Sequence, residues 1–175
     1  MSALSIYQSP TDIALKLFRE AGRMLNAKSI EDVADHLFNF CVTNTALRDW
    51  TFKTLGKKTS DATAIAAWRA EADNLFGNLA DIGNSGKHFS LKPQQAVAQD
   101  TVIQTVALSH RGIHPEMTKT QPTFLIVLPD GSESDLWKVF AKVNQAWEEI
   151  FQRDLNITLP ASMEFICTAS DTKLT

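Results

Sequence analysis

A short polar stretch near the middle of the chain, residues 81–89, carries the residue types that catalytic sites use. It holds an acid, an amide, two glycines, a lysine and a histidine. Asp81, Asn84 and His88 are spaced i, i+3 and i+7, so a continuous helix would place them on one face. On that face His88 could transfer a proton while Asn84 or Asp81 orients its imidazole ring. Lys87 could bind a phosphate. The alternative is an ordinary helix C-terminus, where the helix dipole favours cationic side chains.

Polar residues also lie near the apolar stripe of an earlier helix. His36 and Asn44 are close to the same face of that helix, and polar side chains at buried positions must be hydrogen-bonded. They could contact Asp81 or His88 across the protein, although the favoured interpretation is a hydrogen-bonded histidine and amide inside the core. Arg48 is the arginine best placed to face a phosphate, although a surface salt bridge with a nearby carboxylate is the favoured role.

Patterns for metal binding are weak. Asp32 and His36 have the i, i+4 spacing that suits a metal on a helix, but bundle carboxylate sites use paired Glu-x-x-His units, and the sequence has none. His110 and His114 are four residues apart on a predicted loop, without a partner cysteine. The motifs of phosphate-binding loops, dinucleotide folds and hydrolases are absent. We therefore expect no metal and no cofactor.

Composition narrows the classes of function. The chain has 175 residues, a hydrophobic fraction of 44% and a net charge of −3, and its isoelectric point is near 5.8. These values are typical of one globular domain. The chain lacks the excess of positive charge that most electrostatic nucleic-acid binders have. No apolar run is long enough for a membrane span, and the N-terminus does not resemble a signal peptide. Cys41 and Cys167 suggest no disulfide framework, so we expect a cytoplasmic protein that does not contact a membrane.

Helix-start and helix-stop residues bound four helices. Ser9 and Ser29 are suitable N-caps, and Gly56 is a suitable stop. Apolar residues recur at helical spacing between these signals. The predicted helices cover about residues 9–26, 29–55, 60–83 and 132–154. Within the third, Gly77 and Gly83 are each unfavourable. The helix either kinks or ends near Gly83, or these glycines let another backbone come close.

β-Branched residues mark a different segment between the third and fourth helices. Residues 101–108 and 123–128 are predicted strands, most simply an antiparallel pair joined by a polar connection over residues 109–122. Pro129-Asp130-Gly131 is a predicted turn, and residues 163–167 are a candidate third strand. The predicted fold is mainly α (α+β): a four-helix up-down bundle with a small antiparallel β-hairpin inserted between helices three and four. We expect a single domain over residues 1–175, with the bundle at 9–92 and 132–154 and the β insertion at 100–128.

Two segments resemble a group of uncharacterised bacterial proteins. Arg48-Asp49-Trp50 matches their Asp-Trp at the end of helix two, and residues 81–91 match an Asp-Ile-x-Asn-x-x-Lys-His-x-x-Leu signature. In that group, a strand that ends in Asp-Gly and a final helix that bears a tryptophan follow. The corresponding residues here are Asp130-Gly131 and Trp147. The resemblance covers roughly residues 30–150.

That group is similar in turn to HEPN domains, which are helical bundles, often dimeric, from toxins and phage-defence proteins. Many are metal-independent ribonucleases with an Arg-(Asn/Asp/His)-x-x-x-His motif. Aligned on His88, the polar position falls on Asn84, which matches, and the arginine position falls on Gly83, which does not. The resemblance implies that His88 lies near a dimer axis and takes the 2′-hydroxyl proton of RNA. Lys87 would be the motif cation, and Arg48 could substitute in space for the missing arginine.

Three functions are compatible with these residues. The first is RNA binding or RNA cleavage by a homodimer, in a stress response or in phage defence. The second is a dimeric, non-enzymatic protein-interaction module, which the missing arginine, the acidic isoelectric point and the four tryptophans favour. The third is a bundle that binds a small molecule or a metal through His36, Asn44, Asp81 and His88.

Overall fold

The computed structural model describes residues 5–88, 95–109 and 112–162, and it leaves out the side chains of residues 86–88, 100, 102–109 and 112–121. The described chain is mainly helical, with a small antiparallel sheet of three strands. Its helices are α1 (Pro10–Leu25), α2 (Ile30–Thr54), α3 (Ala62–Ala70), α4 (Leu75–His88) and α5 (Leu136–Ile150), and a π-helical turn follows at Phe151–Leu155. Its strands are β1 (Val97–Ser109), β2 (Gly112–Val127) and β3 (Glu133–Asp135).

The predicted starts of the first two helices are confirmed. The Ser9 hydroxyl accepts a hydrogen bond from the backbone N–H of Asp12, and the Asp12 carboxylate accepts one from the backbone N–H of Ser9. Ser29 caps α2 by accepting a hydrogen bond from the N–H of Asp32. Caps of this kind contribute about 1 kcal/mol each. After α2, Gly56 has a φ of +68°, a left-handed conformation that suits glycine at a helix end.

The prediction of one long third helix is wrong, because this segment forms two helices. Residues 71–74 separate α3 from α4. Ala72, Asp73 and Asn74 have φ values of +52°, +54° and +67°. Asp and Asn compete with the helix backbone for hydrogen bonds and tolerate the left-handed region. Asp73 and Asn74 therefore interrupt a helix that the apolar pattern alone would continue.

Glycine allows α4 to pack closely on its neighbours. The helix continues through Gly83 to His88, so it does not end at this glycine. A Cβ atom added to Gly83 would lie 3.1 Å from the Cβ of Cys41, on α2. A Cβ added to Gly77 would lie 3.0 Å from the carbonyl oxygen of Arg69, on α3. Of the alternatives that the sequence left open for these glycines, the close approach of another backbone is the one observed.

The predicted antiparallel pairing of two strands is confirmed, and the strands are longer than expected. β1 pairs with β2 along its length, from Val97 opposite Val127 to Ser109 opposite Gly112. The predicted polar connection, residues 109–122, is therefore mostly strand.

Two prolines in β2 explain why the sequence suggested a loop there. The register shifts between Val106 and Ala107, which leaves residues 115–117 of β2 in a bulge that contains Pro115. Pro122 lies where β2 has one strand neighbour within the described residues, because β3 pairs with β2 only from Leu125 to Val127. Proline is tolerated at bulges and on strand sides without a hydrogen-bonding neighbour.

The fourth predicted helix begins later than expected. Residues 133–135 pair with β2 as the strand β3, and α5 starts after them at Leu136. Asp135 is its N-cap, since the carboxylate accepts a hydrogen bond of 2.9 Å from the backbone N–H of Lys138. The predicted turn before β3 is confirmed, with a φ of +80° at Gly131.

One hydrophobic core connects α1, α2, α4 and α5. Aromatic rings meet across it: the ring centroids of Phe40 and Phe140 are 4.8 Å apart, and Phe76 stacks on Trp147 at 4.9 Å. Cys41 is fully buried in this core, and burial raises the pKa of its thiol. The helices are thus held together mainly by side chains from their apolar stripes.

Some predictions fall outside the described residues. These are the candidate third strand at residues 163–167, which includes Cys167, and the loop residue His110. The backbone of His114 belongs to β2, and its side chain is not described. Within the described ranges, no helix is both long enough and apolar enough to cross a bilayer.

Candidate functional site

The end of α4 forms a cleft with α2. The close contact at Gly83 brings Asn84, an exposed residue, beside Asp49 of α2. This α2–α4 cleft has a volume of about 170 Å³. It is lined by Val42, Thr45, Ala46, Asp49, Gly83 and Asn84. An amide and a carboxylate from two neighbouring helices therefore share one small space.

Two further motif residues, Lys87 and His88, belong to the last turn of α4. Residues four apart on a helix lie on the same side of it, so the backbone places His88 one turn beyond Asn84. The side chains of Lys87 and His88 lie outside the part of the chain that the structure describes. The predicted spacing of the motif on one helix therefore holds for its backbone positions.

Arg48 forms the salt bridge that the sequence favoured. Its Nε and Nη2 atoms donate to one oxygen of Asp49, at 2.9 and 2.7 Å. The centre of its guanidinium group lies 4.9 Å from the ring centroid of Trp68, a cation–π contact. The Arg48 side chain is 15% exposed. Arg48 is therefore engaged on two sides, and a phosphate would have to compete with Asp49 for it.

Asp81 lies in a different cleft from Asn84. Its carboxylate accepts a hydrogen bond of 2.8 Å from the Arg69 guanidinium, and this ion pair joins α4 to α3. The pair lines a polar α3–α4 cleft of about 440 Å³, which the turn after β2 closes on one side through Asp130. The sequence placed Asp81 and Asn84 together on one helix face, but the structure separates their side chains between two clefts.

Other residues of the α3–α4 cleft, including Arg69 and Asn78, were not among the predicted site residues. Asn78 and Asp81 line the cleft at i and i+3 on α4, and Asn74 lines it immediately before the helix begins. This spacing forms a polar stripe on one helix side. It would have been recognisable if the start of α4 had been known. The wrong prediction of a continuous third helix concealed it.

His36 binds Glu20 rather than a residue of α4. Its Nδ1 atom lies 2.8 Å from a carboxylate oxygen of Glu20, on α1. Arg23 and Lys16 contact the other oxygen, at 2.8 and 3.5 Å, and the Glu20 side chain is 4% exposed. Burial by itself would raise the pKa of Glu20, but the hydrogen bond to His36 and the two cations outweigh it and lower this pKa. His36 thus ties α2 to α1.

Asn44 is the buried core amide that the sequence favoured. It is fully buried, and its Oδ1 atom accepts a hydrogen bond of 2.7 Å from the indole N–H of Trp147. This bond joins α2 to α5. Within the described residues, Asn44 and His36 therefore contact Trp147 and Glu20, and the suggested contact of either with Asp81 is not formed, because Asp81 binds Arg69.

The described side chains contain no group of three residues that could hold a metal ion. The predicted site residues instead fall into the α2–α4 cleft, the α3–α4 cleft and two interhelical bonds, of which His36–Glu20 is partly exposed and Asn44–Trp147 is buried. At the end of α4, the sequence adds an ammonium group and an imidazole to the amide of Asn84. Such a set could bind a phosphate and accept a proton. Comparison of the chain with protein-family models, with curated proteins and with solved structures gives no match in any of the three.

Proposed function

We propose that the protein is a HEPN-like four-helix bundle that binds and cleaves RNA at the end of α4, as a homodimer, in a stress response or in phage defence. The supporting observation is that α4 remains helical through Gly83 to His88. The Asn-x-x-x-His spacing therefore becomes two neighbouring positions on one helix side, Asn84 and His88. In this proposal α1, α2, α4 and α5 are the four bundle helices, and α3 and the hairpin are additions to them.

The proposed reaction uses the sugar of the RNA as its own nucleophile. The imidazole of His88 takes the proton of a 2′-hydroxyl, and the 2′ oxygen attacks the adjacent phosphorus. The bond from phosphorus to the 5′ oxygen of the next nucleotide then breaks, and this oxygen takes a proton back from the imidazolium. Asn84 would orient the imidazole, and Lys87 would stabilise the negative charge that develops on the phosphate oxygens.

The sequence differs from the HEPN motif in the residue that would supply the positive charge. Gly83 occupies the motif arginine position, and its close contact with Cys41 explains why a glycine is needed there. Arg48 is the nearest alternative along α2, since its partner Asp49 lines the same cleft as Asn84. A phosphate in the cleft could replace Asp49 as the partner of Arg48.

The decisive experiment measures cleavage of end-labelled single-stranded RNA by the full-length protein in the presence of a chelator. The His88→Ala variant should lose at least about a hundredfold of the cleavage rate, the usual contribution of a general base. His114→Ala, on β2, is the matched control and should retain the rate. Circular dichroism must show equal folding of both variants. Equal cleavage by His88→Ala and the wild-type protein would refute the catalytic assignment.

The second candidate function is a dimeric, non-enzymatic module that binds a protein. The observation that favours it is the engagement of Arg48 by Asp49 and Trp68, which leaves the α2–α4 cleft with a carboxylate rather than an arginine. The same experiment separates the two candidates. A dimer in sedimentation velocity that neither retains nor cleaves RNA would favour the interaction module.

A further inference from the structure

The α3–α4 cleft lies apart from the residues proposed to act on RNA, and it carries an excess of negative charge. Its three carboxylates belong to Asp73, Asp81 and Asp130. Arg69 pairs with Asp81, and Lys142 pairs with Asp73. Asp130 has no cationic partner among the described side chains. The cleft would therefore repel an anion and attract a cation.

The carboxylate of Asp130 is held at the edge of the cleft by its own turn. Its Oδ1 atom accepts hydrogen bonds from the hydroxyl and the backbone N–H of Ser132, at 2.6 and 2.9 Å. Two backbone bonds close the turn, from the N–H of Leu128 to the carbonyl of Ser132 and from the N–H of Gly131 to the carbonyl of Leu128. The two Ser132 donors lower the pKa of Asp130, so it is negatively charged at neutral pH. Its other oxygen accepts no hydrogen bond from a described residue.

A buried amide lines the same cleft. Asn78 is 9% exposed, and its backbone N–H donates to the carbonyl of Asn74. Its side chain makes no hydrogen bond to another described residue. Neither of its amide atoms is among the fully enclosed, unpaired atoms of the described side chains, so a molecule in the cleft can reach them. Since buried amides are normally hydrogen-bonded, such a molecule would supply the missing partner.

Asp81 provides a second carboxylate oxygen for a ligand. Its Oδ2 atom accepts the hydrogen bond from Arg69, and its side chain is 18% exposed. Its Oδ1 atom accepts no hydrogen bond within the described part of the chain. The three carboxylates of the cleft do not form a group that could hold one metal ion. A cation that contacts two of them must therefore be extended.

We propose that the α3–α4 cleft binds an aliphatic diamine. One ammonium group would lie at Asp130, and the other would lie at Asp81 and the carbonyl oxygen of Asn78. An ammonium group has three donors and no acceptor, which suits these oxygens. Leu128 and Pro129 supply an apolar wall for the methylene chain. The cleft volume of about 440 Å³ is within the range of roughly 300–1,000 Å³ that small-molecule sites usually have.

The test is isothermal titration calorimetry of the full-length protein with putrescine (1,4-diaminobutane), at fixed ionic strength and without RNA. This assay uses no residue of the Asn84–His88 motif, so the diamine site and the RNA site can fail separately. Putrescine should bind with a stoichiometry of one. In ¹⁵N-labelled protein, the side-chain amide signal of Asn78, assigned by its loss in Asn78→Leu, should shift and saturate. Butylamine has the same chain with one ammonium group and should bind at least about tenfold more weakly. 1,4-Butanediol, the uncharged probe, should not bind.

Two variants locate the site. Asp130→Asn removes the charge and keeps an oxygen that can accept from Ser132, and it should weaken putrescine binding about tenfold. Asn78→Leu keeps the approximate shape of the side chain and removes the amide, and it should weaken binding about fivefold. Asp35→Asn, at an exposed position on α2, removes the same charge elsewhere and is the matched control. Circular dichroism must show that all three variants are folded.

Three results would overturn the proposal. Equal binding of butylamine and putrescine would mean that one ammonium group suffices, as in a lysine side chain of another protein. Putrescine binding that neither Asp130→Asn nor Asn78→Leu weakens would place the diamine elsewhere. The absence of a saturable shift of the Asn78 signal would exclude contact with the buried amide.

Discussion

Arg48 and Asp49 are adjacent in sequence, and their contacts determine whether the α2–α4 cleft would attract or repel an anion. Asp49 is 39% exposed and lines the cleft, while Arg48 is 15% exposed and lies against Trp68. The cleft is therefore lined by the carboxylate of Asp49 and not by the guanidinium group of Arg48. A negative group near Asn84 would repel phosphate until Asp49 is neutralised or displaced.

Neutralising Asp49 should show whether the α2–α4 cleft binds RNA. In Asp49→Asn the cation Arg48 loses its carboxylate partner, so RNA affinity should rise about threefold to tenfold, measured by fluorescence anisotropy at fixed salt. Asp35→Asn removes the same charge from an exposed position elsewhere on α2. Equal effects of the two substitutions, or no effect of Asp49→Asn, would argue against RNA binding in this cleft.

Glu20 is a buried residue through which pH should affect stability. Folding lowers its pKa from the ordinary value of 4.5, so its contribution is fully present above pH 4.5 and is lost as the pH falls through the lowered pKa. Replacing this buried carboxylate by an amide leaves His36, Lys16 and Arg23 without their common partner. These three side chains are partly exposed and can be rehydrated, which moderates the loss.

We therefore expect Glu20→Gln to lower the free energy of unfolding by about 2 kcal/mol at neutral pH. The difference from wild type should shrink as the pH falls from 4.5 through the lowered pKa, because the wild-type carboxylate becomes neutral first in the unfolded and then in the folded state. Urea unfolding at several pH values measures both effects. Glu149→Gln, at an exposed position, is the control. A stability difference that does not change with pH would contradict the assigned role of Glu20.

Among the helices, α2 and α4 make the contact most sensitive to one methyl group. An alanine at Gly83 would gain about 1 kcal/mol of helix propensity but would press on the Cβ and backbone of Cys41, at a cost of about 1–3 kcal/mol. We expect Gly83→Ala to lower the free energy of unfolding by about 1 kcal/mol, measured by urea unfolding. A gain in stability would mean that α4 does not pack so closely on α2.

Helix boundaries were predictable where local chemistry decided them. Ser9, Ser29 and Gly56 act through their own side chain or their own φ, so their signals are present in the sequence. The break at Asp73 and Asn74 was not predicted, because apolar periodicity continued on both sides of it. A short left-handed link changes the direction of the chain without a glycine or proline to mark it.

For the molecule as a whole, the mainly helical character and the antiparallel pairing were predictable, and the grouping of the site residues was not. Asp81 and Asn84 share a helix but line different clefts, since Arg69 draws Asp81 toward α3. Contacts between residues far apart in sequence, such as Trp147 with Asn44, depend on how the helices pack. Those contacts follow from the tertiary arrangement, and the spacing of residues along the sequence does not predict them.

The link between α3 and α4 also affects how readily α3 unfolds locally. α3 has nine residues, and Trp68 is its one buried residue. Helices of this length are marginal without tertiary contacts, and three consecutive left-handed residues follow it. α3 is therefore expected to open before the longer helices do. Because the Arg48 guanidinium lies against the Trp68 ring, each such opening would remove one of the two contacts that hold Arg48.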